Sequence, residues 1–404
     1  SFLEMLTEYE SSVKRETAHK DFMAFTHEMW PGFINGRHHK VMAKKFQEIA
    51  DGKLKRLIIN MPPRHTKSEF ASYLLPAWFL GRFPNKKIIQ SSNTAELLEV
   101  NVVPNKEEVM QHISDQMDEA IPFLPNMRPN ERVDLPGGAT RYTALAIKAL
   151  ANQELKNYQA VADATGEIIS SGKFKLFPDF YELFKTPGKL SDESILDLQY
   201  SDFGQGEGDQ ERHLYAPYGP QEWTPVVLGA SSGWGFYEPS MKFIKFMLDR
   251  GETDRLETSV LFTDRGIAEL QMDPAYATLP SFVQNTTRDG DIINDYARAL
   301  FASGKHYLPS NQLIQGRTDY GSNKNYMIIR YAEILLMYAE AQIQGASGNA
   351  LTATQAVNLV RERAGMAFLG SVTLDDIVDE KFAELGMEWG KRYYDKKIKE
   401  NENI

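Results

Sequence analysis

The chain contains no cysteine. Disulfides, thiolate metal sites, cysteine nucleophiles and a lipid carried on a cysteine of these residues are thereby excluded. Compartment is left open, because a cysteine-free chain suits reducing and oxidising surroundings alike. Long apolar runs are missing too. The greasiest stretch, Tyr326–Tyr338, is broken by Arg330 and Glu333, so nothing reaches the roughly 18 residues of a membrane-spanning helix. Phe2–Glu10 is acidic where an export signal would be basic and then apolar, so no signal peptide is expected there. Catalytic signatures are equally scarce. There is no Gly-x-Ser-x-Gly turn, and His112, His213 and His306 stand isolated in the sequence. The carboxylate pairs Asp375/Asp376 and Glu380/Glu384 have helix-surface spacing and read as solvated faces rather than a glycosidase pair. No catalysis is expected of the larger, C-terminal part.

What is present is the composition of a globular protein, with 42% apolar and 25% charged side chains over 404 residues. That length accommodates two or three domains. Charge is unevenly spread. Residues 1–98 hold 15 Lys+Arg against 10 Asp+Glu, net +5, whereas the remainder hold 30 against 45, net −15. Five of the eight histidines also fall in the first quarter. Such asymmetry suggests two origins or two partners.

In the first segment, Lys55–Asn60 is a short β-branched run that predicts a buried strand. Met61–Thr66 then supplies a proline-broken loop, Ser68–Leu80 has helical apolar spacing, and Lys87–Gln90 suggests a second strand. Strand, loop, helix, strand is a βαβ unit and argues for a parallel sheet. The loop Met61-Pro62-Pro63-Arg64-His65-Thr66-Lys67-Ser68 sits where a phosphate-binding loop would sit. There, backbone N–H groups at a helix start hold phosphate oxygens, a lysine reaches the outer phosphates and a hydroxyl holds Mg²⁺. Lys67 and Ser68 supply the last two, but Met61 and Thr66 occupy the glycine positions of the motif, so a plain strand–turn–helix is the competing reading. The stretch from Leu57 to Gln90 resembles the ATPase start of tailed-phage terminase large subunits. That resemblance implies ATP and Mg²⁺ as ligands, with Lys67 on the β/γ-phosphates, Ser68 on the metal, and Arg64 and Thr66 beside the phosphates. No second acidic element of the kind a packaging ATPase needs follows Ser92.

Beyond about residue 99 the pattern is helical. Asn105 with Glu108 is a capping-box variant that opens a stripe through Val109, Ile113, Met117 and Ile121. Ala139–Ala151 and Tyr158–Ser170, joined at Lys156-Asn157, predict an αα-hairpin of the tetratricopeptide kind without a strict repeat. Lys173–Leu176 and Ile195–Tyr200 read as strands and Met241–Leu248 as a short helix. Tyr326–Gln344 and Thr352–Ala364 read as helices, and Thr373 with Asp376 opens a last one through Leu385. The fold class is therefore mainly α, a tetratricopeptide-like superhelix with inserted strands and long loops, preceded by a partial α/β P-loop segment.

Phe203–Gly235 is a glycine-rich stretch carrying large aromatics, and a loop this long inside a compact protein is usually functional. Stacking of sugar C–H faces on aromatic rings is the chemistry such residues offer. Tyr218, Trp223, Trp234 and Tyr237 are the candidates. The alternative for each ring taken singly is that it plugs the core.

The blocks NKEEVMQHISDQMDEAIPFLP (105–125), ESILDLQYS (193–201), GWGFYEPS (233–240), YMIIRYAEILLMYAEAQIQ (326–344) and TLDDIVDEKFAELGMEWGKRYYD (373–395) resemble, in sequence and order, the SusD/RagB family. The resemblance implies an outward-facing outer-membrane location. It also implies a SusC-type TonB-dependent transporter as partner, and a glycan or related nutrient bound without chemical change. It implies neither a cofactor nor a nucleic-acid ligand for this part. The family's signal, its lipidated cysteine and its first helical pairs are not matched, and the chain stops soon after Asp395. The combined expectation is a chimera: a terminase-like segment over 1–98 joined to a SusD-like domain over 99–404. The alternative is an ATP-binding protein with a helical partner domain.

Overall fold

The structure, a computed structural model, describes residues 12–30, 32–59, 69–86, 88, 106–200, 215–313 and 322–388. The chain divides into two compact units, Ser1–Val109 and Met110–Ile404. No helix among the described residues is long and apolar enough to cross a membrane.

Among the described residues the first unit is helical wherever it is regular. Residues 12–20, Phe22–Met29, Arg37–Ala50 and Leu75–Arg82 are helices. Asp21 caps the second by accepting from the Ala24 N–H at 2.7 Å. Four aromatic side chains make the centre. Phe22 meets Phe46, Phe70 and Trp78 edge-on at 5.2, 5.5 and 5.4 Å between ring centroids, the geometry that aromatic quadrupoles favour.

The βαβ unit expected here is not found among the described residues. Residues 55–59 form a bend and an irregular run and belong to no sheet among the described residues. Leu57 and Ile59 lean on the helical core while Ile58 is 87% exposed. Such a run becomes a strand only by pairing with a neighbour, and no partner for it is found among the described residues, the expected one, Lys87–Gln90, lying outside them except for Ile88. The expected helix starts as a π-helical turn, Glu69–Leu74, before Leu75–Arg82. Pro76 explains the change of winding, since it cannot donate to the carbonyl one turn back. The loop residues Arg64, Thr66, Lys67 and Ser68 lie outside the described residues, as do Asn105 and all of Lys87–Gln90 except Ile88.

The second unit is built on helices. Arg141–Glu154 and Tyr158–Ser170 form the expected hairpin. Lys156 takes a left-handed conformation (φ 56°) in its turn, and the Asn157 side chain caps the second helix. Tyr331–Ile343 lies against Tyr158–Ser170, with every residue from Tyr331 to Ala341 buried. Ala353–Arg363 and Leu374–Leu385 complete the layer. Thr352 caps the first, accepting from the Gln355 N–H at 3.2 Å, and Thr373 caps the second as the sequence reading has it, accepting from the Asp376 N–H at 3.2 Å.

Two assignments differ from the sequence expectation. Tyr326–Arg330 is a strand, not the first turn of a helix, and pairs antiparallel with Ser194–Leu198. Its Tyr-Met-Ile-Ile run satisfies either periodicity, and the available partner strand decides between them. Lys173–Leu176 is irregular and joins no ladder among the described residues, although the Lys175 N–H donates to the Asp192 carbonyl at 3.2 Å. Two small ladders also join distant segments, Trp223–Thr224 with Ile292–Ile293 and Val260–Phe262 with Phe301–Ser303.

Asp197 sits in the Ser194–Leu198 ladder, opposite Met327, and is only 5% exposed. Burial pushes its carboxyl up to about 6, against the opposing pull of Ser194, Asn325 and Lys189. A folded-state value above the unfolded one means that the folded chain holds this proton more tightly. The resulting stabilisation is complete below the unfolded value and is lost as pH rises through 6. Asp197→Asn, which keeps an oxygen for Asn325, is therefore expected to raise stability by about 2–3 kcal/mol at about pH 8 and to change little at about pH 4. Thermal melts of both proteins at the two pH values check this.

The Glu380/Glu384 pair faces inward, contrary to the solvated face expected of it. Both carboxylates are fully buried in an ionic lattice. Arg255 reaches Glu252 at 2.5 Å, Glu380 at 2.7 Å and Glu384 at 3.3 Å. Arg330 reaches Glu193 at 2.8 Å, Glu384 at 2.5 Å and Glu388 at 2.8 Å. Arg363 bridges Glu193 and Glu384. The arginines were invisible to a helix-local reading because they come from other elements. The lattice joins two apolar clusters, one around Leu335, Val357 and Ile377, the other around Phe243, Met247 and Leu256.

Candidate functional site

Residues 215–240 fold back on themselves. The N–H groups of Gly233, Gly235 and Phe236 donate to the carbonyls of Pro220 (2.7 Å), Gly219 (3.0 Å) and Pro217 (2.7 Å). A Cβ on Gly233 would stand 2.5 Å from the Gly219 backbone, so only glycine lets the two strands of this fold approach so closely. Gly235 has φ +58°, a second reason for glycine. Arg298 clamps the outer strand from a distant loop. Its Nη2 donates to the carbonyl oxygens of Trp234 and Gly235, and its guanidinium lies over the Phe236 ring, 5.0 Å from the centroid.

The clamp holds two large rings in water. Trp234 is 44% and Phe236 61% exposed, with centroids 5.5 Å apart and planes tilted by 54°. On the same folded stretch Tyr218 and Tyr237 are half-buried and meet at 6.0 Å, and both pack on His306, at 5.5 and 5.3 Å. The His306 Nδ1 lies 2.7 Å from the Ser303 hydroxyl. Burial, aided by Lys324 and Lys305, pushes the imidazole down to about 3, so the ring is neutral through the physiological range. It lines a small cavity of about 30 Å³ with Lys305, Lys324, Tyr326 and Glu388.

The four aromatic candidates are thus placed differently. Tyr218 and Tyr237 are brought together. Trp234 is paired with Phe236, which the sequence reading omitted. Trp223 is a core residue, 8% exposed and edge-on to Tyr307 at 6.2 Å, beside Leu261 and Ile293. Phe236 was findable: Trp-Gly-Phe places rings at i and i+2, on one side of an extended segment. Arg298 carried no such signal, being 62 residues beyond Phe236.

The arrangement is chemically suited to contact. It offers two exposed ring faces, a guanidinium and phenol hydroxyls. The nearby buried carboxylates Glu384 and Glu388 are committed to Arg330, Arg363 and Lys305.

A sequence model of the SusD family matches residues 192–397, half of the chain. A SusD-like protein of Bacteroides ovatus is 25% identical over 311 residues, which are 73% of this chain and 51% of that protein. The chain therefore spans about half the length of this curated relative. Among solved structures, surface glycan-binding protein A of Bacteroides thetaiotaomicron, in complex with laminarihexaose, matches with a TM-score of 0.55 at 26% identity, covering 72% of this chain and 60% of that one. A laminarin-binding SusD-like protein matches in fold, with a TM-score of 0.57 at 21% identity over 83% of this chain and 72% of that one. Together with the helical core and the aromatic surface set on it, the match over residues 192–397 identifies the chain as a member of the SusD family.

Proposed function

We propose that the second unit binds an oligosaccharide without altering it, through the exposed Trp234 and Phe236 rings, with Tyr218 and Tyr237 on the same folded stretch. The observation that carries this is the clamped ring pair. Two large aromatic side chains are held in water by a guanidinium and three backbone hydrogen bonds, at a hydrophobic cost that a sugar face would relieve. The laminarihexaose complex of the Bacteroides thetaiotaomicron relative supports a β-glucan as the first ligand to try. By family, the bound sugar would pass to a SusC-type TonB-dependent transporter at the outer-membrane surface. Isothermal titration of the full chain against laminarihexaose, cellohexaose and maltohexaose tests the reading. Heat with none of the three, nor with a wider oligosaccharide panel, would overturn it.

A second reading concerns residues 1–98, proposed as a terminase-like fragment holding ATP and Mg²⁺ through Lys67 and Ser68, with Arg64 and Thr66 nearby, in a chimeric chain. It is supported by the resemblance of the segment from Leu57 to Gln90 and by the separate core of the first unit. Titration with Mg-ATP, with Lys67→Ala alongside, decides it. Affinity that disappears in the variant supports the reading, and no affinity in the parent ends it. Amplification of genomic DNA across the codons for 90–110 tests whether the junction is natural.

A further inference from the structure

The first unit carries a surface that neither reading uses. From Met29 to Gln47 the sequence has no acidic residue, in a chain whose net charge is −10. The helix Arg37–Ala50 buries His39, Met42, Ala43, Phe46 and Ala50 on one side. Its opposite side shows Arg37, Lys40, Val41 and Lys44 to solvent. Those positions are spaced i, i+3, i+4 and i+7 and share one face. None of the three cations has an acidic partner among the described residues.

The turn leading into this helix is unusually apolar for a surface. Ile34 is 87% exposed, Met29 54% and Trp30 36%, and Val41 within the cationic stripe is 58% exposed. Phe33 packs on Trp30 at 5.2 Å and on His39 at 4.9 Å, and Asn35 lies 3.2 Å from the His27 imidazole. Aliphatic tips and a tryptophan are thus presented beside a row of exposed cations.

We infer that this face of the first unit docks on an anionic lipid bilayer, with Ile34 and Trp30 entering the headgroup boundary and Arg37, Lys40 and Lys44 on lipid phosphates. Interfacial binding combines apolar area with attraction to anionic headgroups, and both components are built here. A nucleic acid would use the cations equally well, but the phosphate backbone gains nothing from covering Ile34, Met29 and Val41. The apolar tips therefore favour the bilayer.

The absence of cysteine supplies the test. Ile34→Cys in the full chain gives one labelling position for an environment-sensitive fluorophore. Vesicles of phosphatidylcholine mixed with phosphatidylglycerol are expected to shift its emission to the blue, and vesicles of phosphatidylcholine alone are not. At about fivefold per cation, Lys40→Gln with Lys44→Gln is expected to weaken vesicle binding about twenty-five-fold. Both positions are exposed, so the thermal midpoint should not move. Three results would each overturn the proposal: no shift at position 34 with anionic vesicles, equal binding by the double variant, or tighter binding to a DNA duplex than to the vesicles.

Discussion

Arg330→Ala is expected to lower the melting temperature of the second unit by roughly 10 °C, corresponding to about 3–5 kcal/mol. The guanidinium is fully buried and bonds three carboxylates, Glu193, Glu384 and Glu388, together with the Glu384 carbonyl at 2.8 Å. Truncation would leave those carboxylates in a low-dielectric interior short of a counter-charge, which costs more than the interaction itself contributes. By contrast Lys148→Ala, which breaks an ion pair with the half-exposed Asp118, should cost less than about 1 kcal/mol. Calorimetric melts of both variants give the comparison, and equal effects would sink the argument for the lattice.

The same lattice sets the acid limit. Burial would raise Glu384, but Arg363, Arg330 and Arg255 outweigh it and hold the carboxyl well below the usual range. Glu388 is held down to about 2 by Arg330 and Lys305, again against burial. Depressed folded-state values mean that this stabilisation is present above the unfolded carboxylate range, near pH 4.5, and is lost as pH falls from there toward 2. Arg330→Ala should therefore shift the acid-unfolding midpoint upward.

The second large effect is on binding. Trp234→Ala and Phe236→Ala are each expected to weaken oligosaccharide binding by about thirtyfold or more, in the range of aromatic anchors at interfaces. Neither should move the melting temperature appreciably, since both rings stand at the surface. Trp223→Ala is expected to behave in the opposite way. Its ring is in the core with Tyr307 and Ile293, and truncation there costs about 3–5 kcal/mol. Titration calorimetry and thermal melts on the three variants separate ligand contact from support. Full affinity in both surface variants would move the site elsewhere on the unit.

Much of the helical layer was readable in advance for local reasons. Tyr158–Ser170 has an apolar stripe at helical spacing and a capping Asn157. Thr352 and Thr373 each precede a residue three positions on that completes a capping box. These signals live within a few residues of the chain, and the helices form where they point. The aromatic surface was half readable. Trp234 was singled out, Phe236 two residues later was not, and Trp223 on the same stretch turned out to be enclosed. No local pattern separates an exposed ring from a buried one on a glycine-rich loop, because enclosure depends on what packs across it.

The sequence by itself determined the helices, their caps and the family to which the second unit belongs, because periodicity, turn chemistry and motif order are properties of neighbouring residues. Only the tertiary structure decided the remainder. Tyr326–Arg330 became a strand because Ser194–Leu198 was there to pair with it. Glu380 and Glu384 turned inward because Arg255, Arg330 and Arg363 arrive from other elements to neutralise them. Trp234 and Phe236 stand in water because Arg298, far along the chain, holds their backbone. In each case the partner is remote in sequence, and a charge, a ring or a strand edge has no settled fate until its partner is in place.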